Sequence, residues 1–149
     1  KPNVITSLAL QADEMEVINL RLQARYREIE ENEVRKKKIM CDDAEYLVVA
    51  FGISARIGQK AVELARQAGY KVGLLRPITL FPFPTVEISK MADQVKGMLT
   101  VELSAGQMVE DVRLAVNGRV PVEFYGRMGG IVPSPDEVLR ALKEKVLGK

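Results

Sequence analysis

Tyr46-Leu-Val-Val-Ala-Phe-Gly-Ile-Ser-Ala-Arg-Ile-Gly58, read on through Gly69 to Lys71-Val-Gly-Leu-Leu75, is the stretch that decides the fold. Tyr46 to Phe51 is a short, continuous apolar run, the pattern of a strand buried on both faces. Gly52 ends it. Ile57, Ala61, Leu64, Ala65 and Ala68 then recur at helical spacing until Gly69. Lys71 to Leu75 is a second apolar run. Strand, helix and strand in this order make a βαβ unit, whose two strands run parallel.

The same grammar continues toward the C-terminus. Arg76 to Pro84 is a proline-rich loop, and a helix follows from about Thr85 to Val95, with Val86, Ile88, Met91 and Val95 on its apolar side. Met98 to Leu103 is a third strand. Gly106 to Asn117 is a helix carrying Met108, Val109, Val112 and Val116, and Asn117-Gly118 stops it. Pro121 to Tyr125 is a fourth strand. The last helix, Ser134 to Val146, opens with Ser134-Pro-Asp-Glu137, a capping-box signature with proline in the first turn. Alternating strands and helices imply an α/β, three-layer αβα sandwich with a mostly parallel sheet of four to five strands.

Toward the N-terminus, Met15, Ile18, Leu22, Tyr26 and Ile29 form one narrow apolar stripe on a long helix. Such a stripe needs a partner surface, either in this chain or in a domain outside it. Residues Lys1 to about Ala12 read as a disordered linker. Arg35-Lys-Lys-Lys38 follows Glu28, Glu30, Glu31 and Glu33 and reads as a solvated, cationic helix end. The expected division is residues 1–42 as linker, long helix and possible edge strand, and residues 43–149 as the αβα domain.

Composition narrows the function classes. The 149 residues suffice for one domain with a real core. A formal net charge of +2 gives no strong pull toward nucleic acid. With one cysteine, Cys41, and no histidine, the chain has no intramolecular disulfide, no zinc set and no thiolates for an iron–sulfur cluster. A cytoplasmic, reducing compartment is the natural reading. No apolar run approaches the roughly 20 residues that span a bilayer. There is no P-loop, no acidic motif for a diphosphate-bound metal and no nucleophile–base pair, so no catalytic residue is assigned. The start at Lys1-Pro-Asn, without an initiator methionine, suggests a piece of a longer protein or a processed chain.

Four loops hold the candidate contacts. Gly52-Ile-Ser-Ala-Arg-Ile-Gly58 does not have dinucleotide spacing; Ser54 reads as a helix cap, or with Arg56 as an anion contact at a helix N-terminus. In the stiff loop after the second strand, Arg76 suits a carboxylate or phosphate, and Phe81 and Phe83 suit packing against another domain. Glu102, on an apolar strand, must be partnered: it is an acid facing the crevice or an ion pair with Arg76, Arg113 or Arg127. Gln107 opens the next helix and is the polar group most suited to touch a ligand or a partner. Gly126-Arg-Met-Gly-Gly130 is a partner loop in which Gly129 and Gly130 allow close backbone approach. Arg127 there suits a phosphate or an interface carboxylate, and Met128 a soft apolar contact.

Four stretches carry a family likeness: Asn19-Leu-Arg-Leu-Gln-Ala-Arg-Tyr26, Arg76-Pro-Ile-Thr-Leu-Phe-Pro-Phe-Pro84, Ser104-Ala-Gly-Gln-Met-Val-Glu-Asp-Val-Arg113 and Phe124-Tyr-Gly-Arg-Met-Gly-Gly130. In this order they resemble the C-terminal part of the α subunit of a 2-oxoacid:ferredoxin oxidoreductase, most nearly the branched-chain (2-ketoisovalerate) type. The resemblance implies a transketolase C-terminal-like fold with a short antiparallel edge strand, for which Lys37 to Cys41 is the candidate. It also implies that the first and third parallel strands lie side by side and that the Gly52 and Ser104 loops open a common crevice. In such a complex a 2-oxoacid and coenzyme A become acyl-coenzyme A and carbon dioxide. Thiamine diphosphate with Mg2+ and iron–sulfur clusters sit in other parts, and ferredoxin takes the electrons. This domain would bind no cofactor alone, have no turnover alone, and serve structure and interfaces. Its partners would be its own N-terminal domain and other subunits. A stand-alone flavodoxin-like binding module for an anionic small molecule is the alternative.

Overall fold

A computed structural model describes residues 8–148, so the expected linker falls mostly outside the described residues. The chain divides into two compact units, one ending at Glu33 and the other beginning at Val34. The first unit holds α1 (Ala12–Asn32), none of whose residues is buried.

The second unit holds five strands, β1 (Lys36–Ile39), β2 (Tyr46–Ala50), β3 (Val72–Pro77), β4 (Met98–Glu102) and β5 (Val122–Gly126). They form one sheet in the order β1-β3-β2-β4-β5. β2, β3, β4 and β5 are parallel, and β1 runs antiparallel to β3 with Lys37 opposite Arg76. The basic run is therefore an edge strand and not a helix end. Lys36 and Lys38 straddle Glu87 at 3.4 and 2.9 Å, while Ile39 packs on the core of the opposite face. Strand pairing outweighs the local charge pattern, and it moves β1 into the sheet unit.

The helices are α2 (Gly52–Gln67), α3 (Thr85–Ala92), α4 (Met108–Val116) and α5 (Pro135–Leu142), which runs on as one π-type turn (Lys143–Leu147). One core, with Val48, Leu74, Leu99 and Val101 of the sheet, lies under α2 and α5. The other, with Leu47, Val49, Leu75 and Met98, lies under α3 and α4. Central strands contribute side chains to both cores, which is why they read as unbroken apolar runs. The chain leaves β2 toward one face and its neighbour β4 toward the other. The β2/β4 boundary is thus the switch point where a doubly wound sheet opens a crevice at its carboxyl edge.

Candidate functional site at the carboxyl edge of the sheet

Across this edge the strand order sets Arg76, the Gly52–Arg56 turn, the Glu102–Gln107 loop and the Arg127–Gly130 loop side by side. The two central helix N-termini differ in how they are closed.

Gly52, at φ +56°, lets α2 start directly after β2. Its first ladder bond runs from Ala55 N–H to Phe51 C=O, 3.1 Å, leaving the amides of Gly52, Ile53 and Ser54 ahead of the ladder. No side chain caps them. Ser54 is not the expected cap: the helix begins two residues earlier, and Ser54 lies buried in its first turn. Arg56 is exposed.

At β4 the opposite holds. Glu102 is 2% exposed. Its Oε2 accepts from Ser104 Oγ (3.0 Å), Gln107 N–H (3.1 Å) and Met108 N–H (3.0 Å), and its Oε1 from Val109 N–H (2.9 Å). The expected ion pair and interface role of Glu102 are thus corrected: it is an internal anion that closes the N-terminus of α4 from the strand below. Charge-assisted bonds to several amides balance a buried carboxylate without a cation. The Gln107 amide points inward to Glu102, not to the crevice mouth, and only its exposed side chain is left for an outside contact. Gly106, at φ +109°, with its N–H 3.3 Å from Ser104 Oγ, completes the turn.

Arg127 joins two elements. Its N–H donates to Glu102 C=O (3.2 Å), and its Nη1 donates to Glu137 Oε1 (2.9 Å). Glu137 also accepts from Ser134 N–H and completes the capping box of α5. The Ser134 bonds, more than Arg127, hold the Glu137 carboxyl below its ordinary value. Met128 is exposed, and Gly129 and Gly130 have φ of +70° and +83° with open space around them.

Arg76 is half-buried, and its Nε is closed off from solvent with no hydrogen-bond partner. Phe81 is 62% exposed, but Phe83 turns inward and packs on the core under α3 and α4. The expected aromatic pair is therefore a single outward ring. The ends of β3 and β5, which lead into the Phe81 and Met128 loops, stand about 14 Å apart with β2 and β4 between them. Cys41 is buried, donates to Leu74 C=O (3.3 Å), and burial pushes its thiol up, which suits packing and not nucleophilic attack. Sequence reasoning missed the closure of α4 by Glu102 and the placing of Lys37 opposite Arg76; the alternation of β1 against β3 was the signal for the second.

This geometry defines a doubly wound domain whose described residues contain no group of three His, Cys, Asp or Glu fit to hold a metal ion. Residues 44–138 match the family of the pyruvate:ferredoxin oxidoreductase core domain II, and the chain belongs to that family. It is 49% identical over 142 residues to the ketoisovalerate oxidoreductase subunit VorB of Methanothermobacter thermautotrophicus, covering 95% of this chain and 40% of that protein. To the 2-oxoglutarate synthase subunit KorA of Methanothermobacter marburgensis it is 35% identical over 101 residues, 68% of this chain and 27% of that one. The chain thus spans about two-fifths of the ketoisovalerate subunit. Among solved structures, the 2-oxoglutarate:ferredoxin oxidoreductase from Magnetococcus marinus, with 2-oxoglutarate, coenzyme A and succinyl-CoA bound, superposes with a TM-score of 0.78 at 16% identity, over 91% of this chain and 24% of that one. A split-gene transketolase superposes with a TM-score of 0.64 at 15% identity, over 76% and 41%. The transketolase-like fold expected from the sequence is the fold observed. No helix among the described residues is long and apolar enough to cross a membrane.

Proposed function

We propose that this chain is domain II of a subunit of a 2-ketoisovalerate:ferredoxin oxidoreductase, with a structural and interfacial role and loops that border the active cleft. The single observation that carries the substrate class is the near-half identity to ketoisovalerate oxidoreductase subunits over nearly the whole chain. In this reading the complex acts in the cytoplasm. It converts the 2-oxoacid and coenzyme A to acyl-coenzyme A, carbon dioxide and reduced ferredoxin. Thiamine diphosphate, Mg2+ and the iron–sulfur clusters belong to other parts of the assembly, and the isolated chain has no turnover. The sheet unit is one domain, and α1 is a connecting element toward the rest of the subunit.

For coenzyme A or another anion, the open N-terminus of α2, with the backbone amides through Ser54 and the exposed Arg56 side chain, is the better-suited position, because Glu102 already fills that of α4. The Gln107 side chain, Arg127, Gly129 and Gly130 line the same edge as further candidate contacts. Arg127 is also suited to brace the interface loop, being tied to Glu137.

The test is co-purification of the full-length subunit with its partner chains, wild type against Arg127→Ala, with an assay of 2-oxoisovalerate- and coenzyme A-dependent reduction of a ferredoxin substitute. Lost assembly assigns Arg127 to the interface. Intact assembly with a raised coenzyme A requirement assigns it to the cofactor. An assembled, cofactor-replete wild type inactive on 2-oxoisovalerate overturns the substrate assignment. Tight nucleotide binding by the chain alone favours the binding-module alternative.

A further inference from the structure

We infer that Lys37 and Arg76 form a recognition site for a carboxylate on a neighbouring subunit, set beside the apolar loop Ile78-Thr-Leu-Phe81. The inference rests on the interfacial reading above and names the chemistry of the partner.

Lys37 of β1 and Arg76 of β3 stand directly opposite each other in the antiparallel ladder. Their side chains share the face of Ile39 and Leu74, the opposed pair two positions along, whose core lies under α2. Opposed residues bring their Cβ atoms to about 5 Å, and two like charges there repel. On the other face of the same strand, Lys36 and Lys38 have Glu87 between them. Lys37 and Arg76 have no acidic partner among the described residues. Asp43 and Glu63 are engaged by Arg66 and Lys60 of α2. Arg76 Nε is desolvated with no acceptor. A buried donor without a partner destabilises a fold unless something else satisfies it. A guanidinium aimed at a carboxylate can make two parallel bonds, and Lys37 would stabilise the same anion.

The setting suits a protein carboxylate more than a free phosphate. Immediately beyond Arg76, Ile78, Leu80 and Phe81 are 56, 48 and 62% exposed. The loop is fixed in this outward pose: Ile78 and Thr79 N–H donate to Arg35 C=O (2.9 and 3.2 Å), Arg35 N–H donates to Thr79 Oγ1 (3.0 Å), and Thr79 Oγ1 donates to Pro82 C=O (2.9 Å). A rigid aromatic and aliphatic platform beside an arginine is the composition of an interface hot spot. A tethered domain meets its neighbour at high effective concentration and needs little steering. A separate subunit gains encounter rate and register from opposite charge. The unmatched pair of cations therefore assigns the partner to another chain of the assembly.

The experiment uses the full-length subunit and its partner chains, comparing wild type with Lys37→Glu, Arg76→Glu, Phe81→Ser and the charge-matched control Lys90→Glu. The charge reversals are expected to raise the dissociation constant of the partner about tenfold or more, chiefly through slower, less salt-sensitive association. Lys90→Glu is expected to behave as wild type. Folded Lys37→Glu and Arg76→Glu subunits that assemble like wild type, while Phe81→Ser weakens assembly, overturn the carboxylate site and leave the interface. Normal assembly by all four overturns the interfacial reading of this loop as well. Should Arg76→Glu unfold, the exposed Lys37→Glu carries the same decision.

Discussion

The carboxylate of Glu102 lies 2.9 Å from the backbone nitrogen of Val109, seven residues later in the chain, and this bond fixes where α4 begins. The N-cap residue, Gln107, makes no side-chain bond of its own to the helix. The anion that the helix N-terminus favours comes from the end of the preceding strand instead. Because Glu102 is fully enclosed, replacing it with Ala leaves three backbone donors unsatisfied. Glu102→Ala is expected to lose about 3 kcal/mol of stability, which corresponds to a fall of roughly 6–12 °C in Tm for a chain of this size. Glu102→Gln keeps one carbonyl acceptor but turns an NH2 toward backbone donors, and should cost about 2 kcal/mol. Urea denaturation of both variants checks this; a midpoint unchanged in Glu102→Ala would show that the loop holds α4 without the carboxylate.

Two glycines on the same frame should respond in opposite directions to alanine. A Cβ at Gly126 would clash with Ser104 O and Phe124 Cζ. One of these is backbone of the loop that closes α4, so the clash spreads into the Glu102 network. Gly126→Ala is expected to destabilise by about 2–3 kcal/mol. Gly58 lies within α2, and its added methyl would meet Val48, Ala50 and Leu74 at ordinary contact distances of 3.5–3.8 Å. Gly58→Ala is expected to stabilise by about 0.5–1 kcal/mol through the restricted unfolded chain. Thermal unfolding of the two variants side by side is the check, and shifts of the same sign would contradict the packing described.

Much of this was legible in the sequence, and the parts that were not share a cause. The Ser134–Glu137 capping box and the αL stop at Asn117 are local patterns, complete within four residues, and both are present. Apolar runs too short for helices gave the central strands, because burial on both faces removes alternation. Glu102 was visible only as a buried acid needing a partner, since its partners are amides, which carry no sequence signature. Ser54 carried a cap signature that the positive φ of Gly52 made irrelevant. The basic run resembled a helix end because Glu87, the partner of Lys36 and Lys38, lies about fifty residues away in the sequence. At the candidate site, the loops were legible from strand and glycine positions, whereas the partners of Arg127 and Glu102 were not.

The Glu87 bridge makes a pH prediction. Its hydrogen bond to Lys38, and then that to Lys36, hold its carboxyl below the ordinary value of 4.5. A carboxylate depressed on folding adds stability that is fully present above the unfolded value and is lost as pH falls through the folded one. Wild type and Glu87→Gln should therefore differ by a few tenths to about 1 kcal/mol at neutral pH. The difference should shrink as the pH is taken below 4.5. Urea midpoints across that range test it, and a gap that persists at the acid end would mean that Glu87 contributes through packing and not charge.

The outer edge of β5 supplies the last prediction. Pro121 C=O accepts from Met98 N–H at 2.9 Å and so faces β4. By strand alternation, Val122 and Phe124 C=O face away from the sheet, where an edge strand can recruit another chain. Each is taken by a cation from a different face: Arg113 Nη2 donates to Val122 O (3.3 Å), and Lys145, carried on the π-type turn, donates its Nζ to Phe124 O (2.9 Å). These two side chains occupy the acceptors and set positive charge along the edge, so an approaching strand would have to displace both. Arg113→Ala with Lys145→Ala should therefore promote concentration-dependent self-association while leaving the helical content intact. Sedimentation velocity over a concentration series, with circular dichroism on the same samples, reads both. A double variant that sediments like wild type at every concentration would mean that strand shortness and twist guard this edge without the cations.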